Sequence, residues 1–582
     1  MGLYDDASLI FLPSAGAGKD TKAYSVKPTD GTGDFTFSRG SNLSATRVGP
    51  DGLIEKGREN KFLQSNNFTT SWTTVNLTLT SGETGYDGTN DAWKFLPSGA
   101  PLTHFLYQNV TGGGIVTFSI YAKAAGYPGL FVYSDNSFAG KYFNVENGTL
   151  GDDYGSPIDS SITSVGNGWY RCTVTVLHTS GNFNVFVSPD GVNTYGMTAD
   201  GTSAVLVQDA QMEGGLVVTD YIESGASKGT AGLLENEPRF DYSGGATCPA
   251  LLLEPQRTNE VIHSEYGGGY TAIDSNITKT DNATTSPEGV DNAVKLEGIT
   301  GSGGNQVVNF GGLNGTSVVN RTFTGSVYIK PVNPSNVGQD ITLSLQRNGG
   351  DFEALNLVVE IDSADWKRYD LTYTFTGAGA ADQTGCVFKI LRQSSTIDDV
   401  YLYGAQLEEG SYATSYIPTY GSAVTRNIDN MQIASGISDL LPQGTGTIYV
   451  EATIVDAVDT ESYLMRIEQA SFSNTIFIAR STAGNLGAYY RDGNSTLFSM
   501  QKNNVADTFK AAFAFESGNS VFYVNGEQIG TSSVTYTPSV TYDDIRIGGY
   551  SVSTANMSGL FSQALVFKTR LSNEELAALT TI

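Results

Sequence analysis

"YGAQLEEGSYATSYIPTYGSAVTR", Tyr403 to Arg426, is too polar and too rich in Gly, Ser and Tyr for a helix, and no catalytic template fits it. A worn copy, "VQDAQMEGGLVVTDYIESGAS", lies at Val207 to Ser227. Gln211 aligns with Gln406 and Tyr221 with Tyr416, an offset of 195 residues in both cases. A chain that carries one closing phrase twice is expected to close two domains in the same way.

The repeat extends upstream. "GLIEKGRENKFLQS" (Gly52 to Ser65) matches "LLLEPQRTNEVIHS" (Leu251 to Ser264), with Glu55, Arg58, Asn60 and Ser65 facing Glu254, Arg257, Asn259 and Ser264. "NDAWKF" faces "DNAVKL", "SIYAK" faces "SVYIK", and "GWYRCTVTV" faces "DWKRYDLTYTF", with Trp169 opposite Trp366. The order never breaks, so this is a duplicated unit of about 165 residues and not a short-period solenoid. The two Trp read as mid-strand core anchors, with a ligand platform as the other reading.

"SIYAK", "CTVTVLH" and "DLTYTFTG" alternate apolar with polar residues, the mark of strands with one buried face. Turn-rich stretches such as "SGETGYDGTND" separate them, so each copy reads as an antiparallel β-sandwich. After Arg426 the texture changes. "VFYVNGEQI" is an Asn-Gly hairpin, and "LSNEELAAL" opens a closing helix with Ser572 as N-cap and Glu575 three residues on. The fold class is therefore all-β. The expected order is an N-terminal segment (1–57), a first sandwich (58–227), a linker (228–256), a second sandwich (257–428) and a third β unit (429–582).

Composition agrees. Among 582 residues there are 68 Gly, 31 Tyr and 28 Phe but only 7 Met, and charged residues make up 16%. Aromatic and β-branched side chains suit a pleated, half-buried surface. The formal net charge of −27 opposes sequence-independent nucleic-acid binding, which needs Lys and Arg on phosphates. No run approaches the ~20 apolar residues of a membrane span, and "MGLYDDASLIFLPSAGAGKD" has no signal-peptide pattern, so a soluble product is expected. Three scattered Cys and three scattered His show no metal-ligand spacing; the thiols are expected to be buried and inert.

"SAGAGKDT" (Ser14 to Thr21) fails as a P-loop because Pro13 and Asp20 stand where Gly and Ser/Thr are required. "DGTGD" (Asp30 to Asp34) and "YDGTND" (Tyr86 to Asp91) offer oxygens for a structural calcium ion, and Asx turns explain them equally. No GxSxG motif appears. No cofactor is expected, and the metal ligands are left unassigned. In "LGAYYRDGNST", alternation sends one of Tyr489 and Tyr490 outward beside Arg491 and Asp492, the combination a glycan site requires.

The third unit, through "YVNGEQIG", "IRIGGY" and "GLFSQALVFKTRLSNEEL", resembles a laminin-G/concanavalin-like jelly roll. The doubled unit, through "FTFSRGSNLSATRVGPDGLIE", "PRFDYSGGATCPALLLEPQRTN" and the closing phrase, resembles carbohydrate-binding-module-like sandwiches of phage fibre and spike proteins. That resemblance implies a virion fibre or spike subunit, without enzymatic activity, assembled in the host cytoplasm and most often trimeric. Its partners would be copies of itself, phage tail or capsid proteins through the N-terminus, and host-surface glycan. Leu9, Ile10, Phe11 and Leu12, the apolar piece of the N-terminal segment, would dock on the particle. Tyr489, Tyr490, Arg491 and Asp492 would touch the glycan. A head fibre or decoration protein is the first alternative, and a surface-polysaccharide hydrolase the second.

Overall fold

Short runs of alternating residues leave half of each strand's side chains to be covered, and this chain covers them with three cores. The computed structural model describes residues 2–14, 18–19, 21–40, 43–99, 102–272, 275–301, 306–347, 353–377, 384–454, 461–469, 471–549 and 558–582. Within these the chain is almost entirely β, and every strand pair in its sheets is antiparallel. Much of the rejected phosphate-loop stretch (residues 15–17 and 20) and the end of "IRIGGY" (Tyr550) lie outside the described residues.

The first repeat folds as a ten-stranded sheet wrapped around Phe62, Phe118, Val174, Phe183 and Met212. Its long strands Phe105–Ala125 and Trp169–Ser188 pair along almost their full length, and a bulge between Thr111 and Gly114 bends them from one layer to the other. The second repeat splits the same arrangement into two five-stranded sheets over Val327, Leu343, Phe388 and Leu407.

The closing phrase is a hydrogen-bond cassette, built twice. Gln406 accepts from Ile417 N (2.8 Å) and donates to Glu408 (2.7 Å), which accepts from Thr414 N (2.8 Å). In the first copy Gln211 accepts from Ile222 N (2.6 Å) and donates to Glu213 (2.6 Å), which accepts from Thr219 N (2.8 Å). Asn259 donates to the carbonyls of Ala405 and Ile417, as Asn60 does to those of Ala210 and Ile222. Arg368 reaches Thr414 O and Ser326 Oγ, as Arg171 reaches Thr219 O and Ser119 Oγ. The polar letters of the phrase recur because each satisfies buried backbone that no ladder reaches. Ala405 and Leu407 point into the core. Tyr416 and Ile417 are buried at 1% and 0% exposure, with Tyr416 OH on Ser264 Oγ and Glu265.

The segments expected to be an N-terminal arm and a linker are strands of the jelly roll. Leu9–Phe11 pairs with Ala564–Val566, and Ala250–Leu253 pairs with Gly559–Phe561 on the same edge of the strand Gly559–Phe567. Phe35–Ser38 pairs with Asn430–Ile433 in the opposing nine-stranded sheet. The physical reason is burial. Leu9, Phe11, Phe35, Phe37, Leu251 and Leu253, all at most 1% exposed, share one core with Ile448, Phe513 and Val566. Leu9, Ile10 and Phe11 are thus interior and Leu12 half-buried, so they form no free docking plug.

It follows that the sandwiches are insertions in the jelly roll and not separate units that precede it along the chain. Each leaves and returns through paired strands, Ile54–Asn60 with Gly229–Gly232 and Arg257–Asn259 with Val424–Arg426. Buried ion networks fasten the junctions. Asp429 bonds Arg39 (3.1 Å) and Arg239, while Glu254 bonds Arg239 (2.6 Å) and Arg426 (2.8 Å). Lys56, from the first sandwich's incoming strand, bonds Glu265 (2.9 Å) and Glu288 (2.8 Å) of the second. Removing one partner would strand a buried charge.

Trp169 stands at a strand start and Trp366 immediately before one, neither of them mid-strand. Trp169 packs in a satellite cluster with Tyr86 and Tyr121, and Trp366 against the cluster of Ile54, Tyr403 and Tyr416. Cys172 and Cys386 are buried, and burial pushes the Cys386 thiol up to about 12; Cys248, by contrast, is exposed. No helix among the described residues is long and apolar enough to cross a membrane.

Candidate functional site

The nine-stranded sheet of the jelly roll has an inner face packed on the core and an outer face of different chemistry. On the strands Ser462–Gln469, Ser471–Arg480, Leu486–Asp492 and Asp544–Ile547, Ile467, Ile476, Ile478, Ala488, Tyr490 and Ile545 point inward. The alternate positions carry Tyr463, Arg466, Glu468, Phe477, Tyr489, Arg491, Asp544 and Arg546 on the other side. Strand pleat therefore separates the two tyrosines named above. Tyr490 is wholly buried and stacks near Phe498 and Tyr536, whereas Tyr489 is half-buried on the outer face.

Tyr489 stacks on Phe477 at 4.6 Å with the rings 12° apart, and its hydroxyl accepts from Gln501 Nε2. Tyr463 and Phe472 continue the aromatic surface at 5.2 and 5.4 Å from Phe477. Arg491 lies 4.4 Å above the Phe472 ring and donates to Asn494 O. Asp492 does not join this surface; it turns away to accept from Ser539 N and Oγ. Of the four residues, the fold brings Tyr489 and Arg491 together and directs Tyr490 and Asp492 elsewhere.

Beside the rings sits a charged block. Arg466 donates to Glu468 (3.0 Å), and Arg546 donates to both Glu468 (2.9 Å) and Asp544 (3.2 Å). Glu468 and Asp544 are cross-strand neighbours, as are Arg466 and Arg546. Burial raises the Asp544 carboxyl above its ordinary value and lowers Arg466. Glu468 Oε2 and Asp544 Oδ1 are buried without a hydrogen-bond partner among the described residues. Buried acceptors beside aromatic rings and guanidinium forks are the groups that recognise hydroxyl-bearing ligands. Sequence reading found Tyr489 and Arg491 through the turn beside them. It missed Tyr463, Arg466, Glu468, Phe472, Phe477, Asp544 and Arg546, because only sheet register joins them.

Both calcium candidates fold as turns. Asp30 Oδ1 accepts from Thr32 N and Oγ1, and Asp87 Oδ1 accepts from Thr89 N and Oγ1 and from Gln208. Among the described residues no group of three or more His, Cys, Asp or Glu side chains is placed to hold a metal ion.

Residues 429–577 match the family described as the concanavalin A-like lectin/glucanases superfamily. The C-terminal unit is a concanavalin-like jelly roll. Solved structures similar to the chain include the CBM40 of a Ruminococcus gnavus IT-sialidase, at 17% identity over 26% of this chain and 96% of that one, with a TM-score of 0.23. The leech intramolecular trans-sialidase complexed with 2,7-anhydro-Neu5Ac follows at 17% identity, covering 27% of each chain, with a TM-score of 0.23. The botulinum neurotoxin type G receptor binding domain is similar at 12% identity over 26% of this chain and 38% of that one, with a TM-score of 0.21. No curated protein sequence matches the chain.

Proposed function

We propose that this protein is a glycan-binding subunit of a phage virion fibre or spike, with the outer face of the jelly roll as one receptor surface. The observation that carries the reading is the joint placement of Tyr489, Phe477, Phe472 and Arg491 on a sheet face whose inner side is an ordinary core. The family match of residues 429–577 supports the same class of ligand. The fibre assignment rests on the resemblance of the repeated phrases. Weak contacts to a surface glycan gain strength when several copies engage at once.

Attachment to the particle through Leu9–Leu12 is not part of this proposal, because those residues serve the jelly roll. A surface-polysaccharide hydrolase is the second reading. Glu468 and Asp544 favour it, being two buried carboxylates on one guanidinium, with Asp544 raised toward the protonated form.

The test is retention of the full-length protein in native gels cast with host-surface polysaccharide. Wild type is expected to be retarded, and the Tyr489→Ala/Arg491→Ala variant to lose at least tenfold in apparent affinity with its fold intact. Equal retardation of both would refute the site. New reducing ends released by wild type and not by Glu468→Gln would move the protein to the hydrolase reading.

A further inference from the structure

The first sandwich carries an aromatic surface outside its core. Leu130, Val132, Phe143, Val185 and Val187 point inward, so their neighbours point away from the core. Those neighbours are rings. Phe105, Phe186, Phe131 and Tyr142 form one cross-strand row, with Phe105–Phe186 stacked at 4.4 Å and Phe131–Tyr142 at 4.2 Å. Tyr107, Asn184, Tyr133, Gly140 and Tyr154 form the next. Gly140 has no side chain to fill the space between Tyr133 and Tyr154, and these rings meet edge to face at 5.3 Å. Phe131 and Tyr142 are buried, whereas Tyr107, Tyr133 and Tyr195 are half-exposed and Tyr154 is exposed.

The second sandwich is an internal control for what the fold requires. Its core pairs Leu343 with Ile390 and Leu345 with Phe388 in the same way, yet the outward positions beside them are Thr342, Ser344, Gln346, Asn356, Val358, Val387, Lys389 and Leu391, without one aromatic ring. A sandwich of this kind folds without aromatic rings on these outward positions, so the rings of the first copy are not owed to folding. Next to them Phe138 sits at the tip of the hairpin between Gly129–Ser134 and Ala139–Asn144, with φ of 51° and 67% exposure. A bulky residue held in the left-handed region and turned to solvent is a strained arrangement typical of binding sites.

We infer that this face is a second binding site, independent of the jelly-roll surface, and that it takes an uncharged polysaccharide. Charge selects the occupant. The rim carries Asp135, Asp152 and Asp190. The whole chain carries a formal charge of −27, so an anionic chain is repelled. Asn184 and Asn193 supply donors and acceptors beside the rings, and Asn193 already reaches Asp152 across the rim. Tyr rings give sugar rings an apolar face with a polar edge. The rows cross five strands, about 19 Å at ~4.8 Å per strand, which suits several consecutive sugar units better than one.

The experiment uses the full-length protein in gels containing dextran, laminarin, galactomannan or mixed-linkage glucan, with alginate as the anionic contrast. Wild type is expected to be retarded by at least one of the four neutral polymers, independently of salt, and not by alginate. Tyr133→Ala/Tyr154→Ala should weaken that retardation at least tenfold with unchanged circular dichroism and melting midpoint. Tyr133→Phe should stay within threefold of wild type. The jelly-roll variant Tyr489→Ala/Arg491→Ala should bind these polymers as wild type does. Retardation by alginate alone, by no neutral polymer, or equally in the double variant overturns the inference. So does neutral-polymer binding that only the jelly-roll variant loses, an outcome that leaves the first reading standing. A double variant that changes the mass in solution instead of the retardation would reassign the face to contact between copies.

Discussion

Phe11→Ala distinguishes a docking arm from a jelly-roll strand. Phe11 is 1% exposed, lies edge to face with Phe35 at 5.5 Å and pairs through its backbone with Ala564. Truncating a buried Phe costs about 3–5 kcal/mol, the lost transfer energy plus the cavity left behind. At about 1.4 kcal/mol per tenfold, the folded-to-unfolded ratio falls roughly 10²- to 10⁴-fold. In a domain of this size such a loss lowers the midpoint by roughly 6–20 °C. Differential scanning calorimetry of the full chain is the assay, because three cores need not melt together and the affected transition can be identified. The loss should fall on the transition that Phe513→Ala also lowers, Phe513 being in the same core. A solvent-facing arm would show no such loss, and a shift below about 2 °C in every transition would refute the placement.

Further outcomes follow from the same contacts. Asn259→Ala leaves the carbonyls of Ala405 and Ile417 and the amides of Val261 and Leu407 without their partner, at about 1–3 kcal/mol for each group left unsatisfied, and should lower only the second sandwich's transition. Asn60→Ala should do the same to the first alone, and calorimetry separates the two. Although burial alone would raise it, Arg426 and Arg239 hold the Glu254 carboxyl well below its ordinary value. Its contribution is therefore whole above about pH 4.5 and is lost as pH falls further, so Glu254→Gln should flatten the melting midpoint between pH 5 and 3 while lowering it at pH 7. Burial, with Asp91 and Asp87 nearby, pushes Asp209 up to about 6 against the pull of Tyr86 and Tyr221. That contribution is whole below pH 3.8 and lost as pH rises through 6, so Asp209→Asn should raise the midpoint at pH 8 and leave it unchanged at pH 3.

Local pattern was enough for much of the fold. Asn525 and Gly526 adopt positive φ of 52° and 80° at the hairpin expected from "VNGE", and Ser572 and Glu575 form the capping box at the closing helix. The duplication was legible because Gln406, Glu408, Thr414 and Asn259 do the same work as Gln211, Glu213, Thr219 and Asn60. What could not be read locally is the jelly roll's assembly. Leu9–Phe11 is three residues without a period, and its partner strand is more than five hundred residues downstream. Alternation likewise said that Tyr489 and Tyr490 part company but not which faces out; the sheet's register decides that. The aromatic face of the first sandwich left a signal that went unread. "GLFVYS" runs Leu, Phe, Val and Tyr in succession and "AGKYFN" sets Tyr beside Phe, and a strand apolar on both faces has something to cover on each.

The central claim is that one jelly roll, assembled from distant parts of the chain, carries both sandwiches as insertions. Hydrogen exchange by mass spectrometry on the full-length protein tests it directly, since protection reports the cooperative unit to which each amide belongs. Peptides covering Leu9–Phe11, Phe35–Ser38 and Ala250–Leu253 are predicted to exchange as slowly as those covering Gly446–Ile454 and Gly559–Phe567, and to lose protection together with them. Complete exchange of Leu9–Phe11 within the dead time, while Gly559–Phe567 stays protected, would contradict the account.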